Sequence, residues 1–246
     1  MVTLKENKVE YKFDKFLDEL NKLSVTLTEN QLNQFRVYYE MLVEKNKVMN
    51  LTGITEWDEV LEKHFLDSVS LIRAIDLNKD LKVIDMGTGA GFPGIPLKIA
   101  FPNLKVTLAD SLNKRVNFLQ EVIDELGLEN IEVIHGRAED IARDKNYRQA
   151  FDLSVSRAVA NLSTLTEYCL PFVKIGGQFI SYKSGDCEEE VENSKKAVFI
   201  LGGKINEVIK FELGESGRSF IVIDKVNGTP KEYPRKAGTP SKKPIE

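Results

Sequence analysis

The sequence has few of the residues that build disulfides and metal sites. Its 246 residues include two cysteines and two histidines. Cys169 and Cys187 belong to no metal-binding pattern, so we expect two reduced thiols in a cytoplasmic protein and no bound metal. The chain also has no run of about 18 apolar residues, so no membrane-spanning helix is predicted. Residues 1–13 carry charges throughout, which is not typical of a signal peptide.

An excess of positive charge is also missing. The net charge is −4, although 29% of the residues are charged. A uniformly basic nucleic-acid-binding protein would have the opposite balance, so any contact with a polyanion has to come from local clusters of lysine and arginine. The hydrophobic content of 42% is sufficient for one sizeable core with an appended subdomain.

The chain divides into a helical part and a part in which strands alternate with helices. Residues 9 to about 76 are predicted to be helical. Thr28 followed by Gln31 is a capping-box pattern that marks one helix start, and another helix is predicted to begin near Thr55. From Leu81 onward, short β-branched runs alternate with helical runs, which predicts an α/β fold with a doubly wound parallel sheet.

The end of the chain departs from this alternation. Residues 203–213 and 217–226 are predicted strands with no helix between them, which favours an antiparallel strand at the edge of the sheet. A tail rich in proline, glycine and lysine follows. We therefore divide the chain into an N-terminal helical subdomain (1–78), a sheet domain (79–226) and a basic C-terminal tail (227–246).

Three glycines follow the first strand, in the segment "DMGTGAGFPG" (85–94). A dinucleotide-binding turn needs a glycine where this chain has Phe92. Asp85 lies two positions before the first glycine, where a carboxylate would repel a pyrophosphate but favour an ammonium group. S-adenosylmethionine has no phosphate and carries an amino group and a sulfonium, so the segment predicts this ligand. The glycines that would let the backbone approach it are Gly87, Gly89 and Gly91.

The next strands also end in residues suited to a nucleoside. Asp110 ends the second strand, where an acid can bind both ribose hydroxyls. Ala138 and Glu139 follow the third strand, where such sheets hold an adenine edge. Arg157 ends the fourth strand and offers a positive fork to a phosphate, a base edge or a carboxylate. These positions lie where open sheets bind ligands.

Several separate segments resemble one family. They are 46–54 (NKVMNLTGI), 63–71, 85–99, 110–119, 136–140, 156–162 (SRAVANL) and 233–245 (YPRKAGTPSKKPI). They are similar to the bacterial 16S ribosomal RNA guanine-N7 methyltransferases, known as the RsmG or GidB family. The resemblance implies a class I S-adenosylmethionine-dependent methyltransferase fold, with S-adenosyl-L-methionine as cofactor. It also implies cofactor contacts at Gly87, Phe92, Ala138, Glu139 and Arg157.

The implied substrate is a guanine N7 of 16S rRNA in the small ribosomal subunit or an assembly intermediate, methylated by a monomeric enzyme. Guanine N7 has an in-plane lone pair and no proton to lose, so orientation can drive the reaction without a general base. His64 and Asp67 lie three residues apart on one predicted helix face, and with Arg157 they are the candidate catalytic residues. His64 is equally well explained as a packing or capping residue.

Contact with RNA is predicted at local basic clusters. Lys114 and Arg115 begin a predicted helix, and Arg235 and Lys236 lie in the tail. The basic residues of the tail are equally well explained if the tail is only solvated. Lys183 is a further candidate, although "YKSGDC" departs from the family pattern there. Two other functions stay open: a methyltransferase acting on a small molecule or protein, with the N-terminal helices as a lid, and a non-catalytic ribosome assembly factor.

Overall fold

One sheet organises the molecule, and the computed structural model describes residues 11–245. The strands are β1 Lys82–Met86, β2 Lys105–Asp110, β3 Ile131–His135, β4 Phe151–Arg157, β5 Val173–Ser184, β6 Gly203–Leu213 and β7 Ser216–Lys225. Their order in the sheet is β3-β2-β1-β4-β5-β7-β6. Strands β1 to β5 are parallel, and β7 is antiparallel to β5 and to β6. The predicted doubly wound α/β sheet is confirmed.

The hairpin predicted at the sheet edge is confirmed, and its two strands join the sheet out of chain order. β7 lies between β5 and β6, and β6 forms the edge. Residues 220–223 of β7 are all buried, so both faces of this strand need cover, which only an interior position provides. β6 exposes Lys204, Glu207 and Lys210, charged side chains that suit a free edge.

Helices cover both faces of the sheet. Adjacent residues of β1 belong to opposite cores, Val83 to one and Ile84 to the other, as the two-residue period of a strand requires. The helices of the sheet domain and the tail are α5 Gly94–Ala100, α6 Asn113–Leu126, α7 Ala138–Ile141, α8 Leu162–Cys169, α9 Glu188–Ile200 and α10 Thr239–Lys242. Of the described helices, none is long and apolar enough to cross a membrane.

The N-terminal helices share the core of one sheet face. They are α1 Asp14–Lys22, α2 Glu29–Met49, α3 Trp57–Val60 and α4 Asp67–Val69, and the predicted start at residue 9 lies outside the described residues. Thr28 forms the predicted capping box with Gln31 at the start of α2. Phe35 and Phe65 from these helices pack in one cluster with Val83 and Leu108 of the sheet.

The helix predicted from Thr55 is not regular. It begins at Trp57, becomes a π-helix over Leu61–Leu66, returns to α-helix in α4 and ends as a 3₁₀-helix at Ser70–Arg73. π-Helical turns are often found at functional sites, because the inserted residue redirects the side chains around it. This one contains His64 and directly precedes Asp67.

A buried tyrosine connects α2 to the glycine segment. Tyr38 is fully buried, and its hydroxyl donates a hydrogen bond to the carbonyl oxygen of Ala90 at 2.6 Å. The ring lies 5.5 Å from that of Phe92, measured between centroids. The N-terminal helices therefore support the turn that follows β1.

We predict that Tyr38→Phe lowers the free energy of unfolding by about 1–3 kcal/mol, because the buried carbonyl of Ala90 loses its partner. Tyr39→Phe is the matched control, since the Tyr39 hydroxyl donates to the carbonyl of Thr55 in a less buried place. Urea unfolding of both variants measures the difference. Equal losses in the two variants would contradict this account of the turn.

Candidate active site

Three adjoining cavities lie along the carboxyl ends of the strands. The tail-side cavity, about 220 Å³, lies between Asp110, Glu139 and the C-terminal tail. The glycine cavity, about 390 Å³, lies over the turn after β1. The arginine cavity, about 510 Å³, lies around Arg157. The first two share Gly87 and Asp110, and the last two share His64 and Arg157, so the three form one groove.

The turn after β1 presents bare backbone to the glycine cavity. Gly89 has φ +63°, and a Cβ built there would meet no atom within 4 Å. Gly91 has φ +110°, and its Cβ would lie 2.7 Å from the hydroxyl of Tyr38. Gly91 is therefore required by packing beneath the turn, whereas Gly89 leaves open space above it. This open cradle fits a ligand that approaches the backbone closely.

Asp85 lies beneath this turn and does not line the three cavities, contrary to the direct ligand contact expected from the sequence. Its Oδ2 accepts hydrogen bonds from the hydroxyl of Thr88 at 2.7 Å and from the backbone N–H of Gly94 at 2.8 Å. Its Oδ1 has no hydrogen-bond partner among the described residues. Burial raises the pKa of Asp85 to about 6, while the Thr88 and Gly94 bonds act in the opposite direction. The carboxylate thus fixes the turn from below.

Asp110 fastens the turn from the side and lines two of the cavities. Its Oδ2 accepts from the backbone N–H of Gly89 at 3.0 Å, and its Oδ1 accepts from that of Leu112 at 2.9 Å. Arg115, expected to contact RNA, lies 3.4 Å from the same carboxylate and lines the glycine cavity. Lys114 is exposed at the start of α6.

The tail-side cavity has one wall that the sequence did not predict. Ala138 and Glu139 line it as expected, at the start of α7. Gly238 and Ser241 of the tail line it too, with Tyr168 of α8. The "YPRKAGTPSKKPI" pattern singled out these tail residues, but nothing in it indicated where they fold.

A shared carboxylate organises the arginine cavity. Asp67 is 4% exposed, and its Oδ2 lies 2.6 Å from Nη1 of Arg157. Its Oδ1 lies 3.0 Å from Nε of Arg218 on β7, a residue that the sequence analysis did not single out. Arg218 has no distinctive local pattern, and it is brought here only by the pairing of β7 with β5. Lys183 also lines this cavity and binds Glu190 at 2.6 Å.

His64 is packed at the junction of the glycine and arginine cavities. Its ring stacks on Phe92 with centroids 4.5 Å apart, and the Arg157 guanidinium lies 5.0 Å from the centre of the same Phe92 ring. His64 Nε2 is 2.8 Å from the hydroxyl of Thr52. Burial, and after it the charge of Arg157, lowers the pKa of His64 to about 4. The imidazole is therefore neutral at physiological pH.

Arg235 does not lie free in the tail, as an RNA contact would. Its guanidinium binds Glu167 of α8, with Nη2 2.6 Å from Oε2, and Glu167 is 1% exposed. A guanidinium held by a buried carboxylate is not available to a phosphate, so this geometry disfavours the predicted RNA contact of Arg235. Lys236 is exposed on the tail.

The strand order and the glycine turn after β1 define the class I S-adenosylmethionine-dependent methyltransferase fold. Solved structures of similar fold include a SAM-dependent methyltransferase from Aquifex aeolicus, with a TM-score of 0.51 and 21% identity over 67% of this chain and 92% of that chain. TrmN from Thermus thermophilus gives a TM-score of 0.51 and 17% identity over 68% of this chain and 53% of that chain.

The sequence places the chain within this class more narrowly. Residues 31–219 match the family model GidB, rRNA small subunit methyltransferase G. The ribosomal RNA small subunit methyltransferase G of Lachnoclostridium phytofermentans is 53% identical over 94% of this chain and 96% of its own length. That of Alkaliphilus metalliredigens is 52% identical over 93% and 97%. The chain belongs to the rRNA small subunit methyltransferase G family.

The pKa of His64 predicts an acid-dependent loss of stability. Because its pKa in the folded state, about 4, is below the ordinary 6.5, the unfolded chain takes up the proton first as the pH falls. The free energy of unfolding should therefore decrease between pH 6.5 and 4, by about 1–3 kcal/mol from this residue. Denaturant unfolding against pH should show a smaller decrease in His64→Gln. His135→Gln, at an exposed position, is the control, and a decrease in His64→Gln as large as in wild type would refute the assignment.

Proposed function

We propose that this protein transfers a methyl group from S-adenosyl-L-methionine to N7 of a guanine in 16S rRNA. Membership of the rRNA small subunit methyltransferase G family supports this reaction over a small-molecule or protein acceptor and over a non-catalytic assembly factor. When bound, the cofactor supplies a methyl group on a sulfonium, which is an electrophile. The groove at the strand ends has separate room for such a cofactor and for an acceptor base.

The cofactor is assigned to the tail-side and glycine cavities. The open face of Gly89 admits a ligand against the backbone, and the Asp110 carboxylate is suited to ribose hydroxyls. Glu139 offers a carboxylate to the adenine edge beside Ala138. Asp85 acts from beneath by fixing the turn. Gly91, like Asp85, is proposed to support the turn from beneath. The residues proposed to hold the cofactor are Gly87, Gly89, Phe92, Asp110, Ala138, Glu139 and Arg157.

The arginine cavity is assigned to the methyl acceptor. The charged and titratable side chains of this cavity indicate which atom of the acceptor is methylated. Both carboxylate oxygens of Asp67 are already held by guanidiniums, Oδ2 by Arg157 and Oδ1 by Arg218. His64 has a pKa of about 4, and burial holds the pKa of the Tyr182 hydroxyl well above its usual value. None of these groups is suited to remove a proton near neutral pH. An acceptor with an exposed lone pair and no proton to lose, such as guanine N7, needs only to be oriented.

Four cations line this cavity (Lys63, Arg157, Lys183 and Arg218) against two acids (Asp67 and Glu190). The excess of two positive charges suits a polyanionic substrate. Around it, Lys114, Arg115, Lys183 and Lys236 are proposed contacts to phosphate, although Lys183 must then exchange its bond with Glu190. In this proposal, the described helices of the N-terminal subdomain (residues 11–78) form the substrate-facing layer, and residues 79–226 form the catalytic domain. We propose a monomer that acts in the cytoplasm on the small subunit or an assembly intermediate.

The acceptor atom can be tested by chain scission. N7 methylation leaves the imidazole ring of guanine cationic, so that borohydride reduces it and aniline then cuts the chain. We predict one new cut in 16S rRNA after small-subunit particles are treated with the protein and cofactor, and no cut with a folded Asp110→Ala variant. Radiolabel in the RNA without scission would contradict N7 as the acceptor. No label in mature or partly assembled particles would contradict the RNA substrate.

A further inference from the structure

We propose that the described part of the C-terminal tail (residues 227–245) is a fixed wall of the nucleoside pocket. We further propose that Arg235 is the positioning residue that holds Glu139 in place to recognise adenine. This inference rests on the proposed cofactor site. It assigns a role to the basic tail pattern that RNA contact through Arg235 does not explain. It concerns which nucleobase the protein accepts, and not the methyl acceptor.

The tail is fastened to the body by arginines of the preceding domain. Arg148 donates to the carbonyl oxygens of Tyr233 and Thr229, both at 2.9 Å, and of Pro230 at 3.1 Å. Arg143 donates to the carbonyl of Pro234 at 2.7 Å. Such bonds from charged donors hold the main chain of the tail and not only its side chains.

Arg235 fastens the tail from within the tail itself. Its backbone N–H donates to Oε1 of Glu167 at 2.6 Å, and its Nε and Nη2 bind the same carboxylate at 3.0 and 2.6 Å. Among the described residues, hydrogen bonds to this carboxylate come from Arg235 alone. Because Glu167 is buried, loss of Arg235 would leave an uncompensated charge. Removing this one partner of the pair is therefore expected to destabilise the fold.

Three residues further on, the tail reaches the pocket. Gly238, with φ +81°, donates its backbone N–H to Oε1 of Glu139 at 2.8 Å. The carbonyl of Pro240 accepts from the hydroxyl of Thr164 at 3.2 Å, which anchors the far side of this contact. Glu139 is 4% exposed and lines the tail-side cavity together with Gly238.

This arrangement leaves Glu139 with an acceptor for a ligand. Within the described part of the chain, Gly238 supplies the only hydrogen bond to its carboxylate, so Oε2 keeps its acceptor capacity. An oxygen that can only accept favours a nucleobase with an exocyclic amino group. Adenine has this donor, whereas hypoxanthine has a carbonyl oxygen in its place and would be repelled. The Gly238 contact fixes the carboxylate, and Arg235 fixes Gly238.

The experiment compares S-adenosylhomocysteine with S-inosylhomocysteine by calorimetry. Arg235→Met combined with Glu167→Gln removes the pair without leaving a buried charge, and Lys231→Ala is the matched control at an exposed cation of the same tail. We expect the double variant to bind S-adenosylhomocysteine about tenfold more weakly, which corresponds to about 1.4 kcal/mol. Its affinity for S-inosylhomocysteine should stay nearly unchanged, so the preference for adenine decreases. Arg235→Lys keeps a positive charge beside Glu167 and should recover part of the preference for adenine.

The outcomes separate this inference from the proposed function. A folded double variant with wild-type affinity and preference would overturn the role of the tail and leave the cofactor site standing. An equal loss of affinity in Lys231→Ala would do the same. Wild-type protein that binds neither compound would overturn the cofactor site itself, and the inference with it. If the double variant does not fold, the role of the tail is tested by hydrogen exchange in the wild-type protein. Exchange at the Gly238 amide should slow at least tenfold with S-adenosylhomocysteine, and unchanged exchange would overturn the inference.

Discussion

The paired carboxylate of Asp67 is the constraint on which the candidate site depends. It joins three parts of the chain, because Asp67 begins α4 after the π-helical turn, Arg157 ends β4 and Arg218 lies on β7. Removing one partner would leave a buried charge incompletely compensated, so these parts are held in one relative position. The Arg157 guanidinium held in this pair also lies over Phe92, and after burial, the larger cause, its charge lowers the pKa of His64. The chemistry of the arginine cavity follows from this one contact.

Much of the fold could be predicted from the sequence, because its determinants are local. The alternation from Leu81 predicts the parallel sheet, and the Thr28 capping box fixes the start of α2. The position of β7 could not be predicted, because it depends on the long-range pairing of β7 with β5. The π-helical turn at Leu61–Leu66 likewise has no local sequence pattern that predicts it.

The candidate site was predictable only in part, for the same reason. Gly89, Asp110 and Glu139 lie at strand ends, and the order of strands brings them together. Asp85 looked like a ligand contact, yet the depth of the turn places it underneath, where Thr88 and Gly94 hold it. Arg218 and Gly238 reach the groove through long-range pairing, and Arg235 turns inward to a carboxylate 68 residues away in sequence. Such partners leave no periodic pattern in the chain.

The central claim is that this site orients an acceptor without removing a proton from it. The most direct test is the single-turnover rate of methyl transfer to small-subunit particles, measured between pH 6.5 and 8.5 at saturating cofactor. Since both oxygens of Asp67 are held by guanidiniums and the pKa of His64 is about 4, neither side chain is expected to become a general base across this range. The account predicts a rate constant that does not change with pH. A rate that rises about tenfold per pH unit would reveal a general base and contradict it.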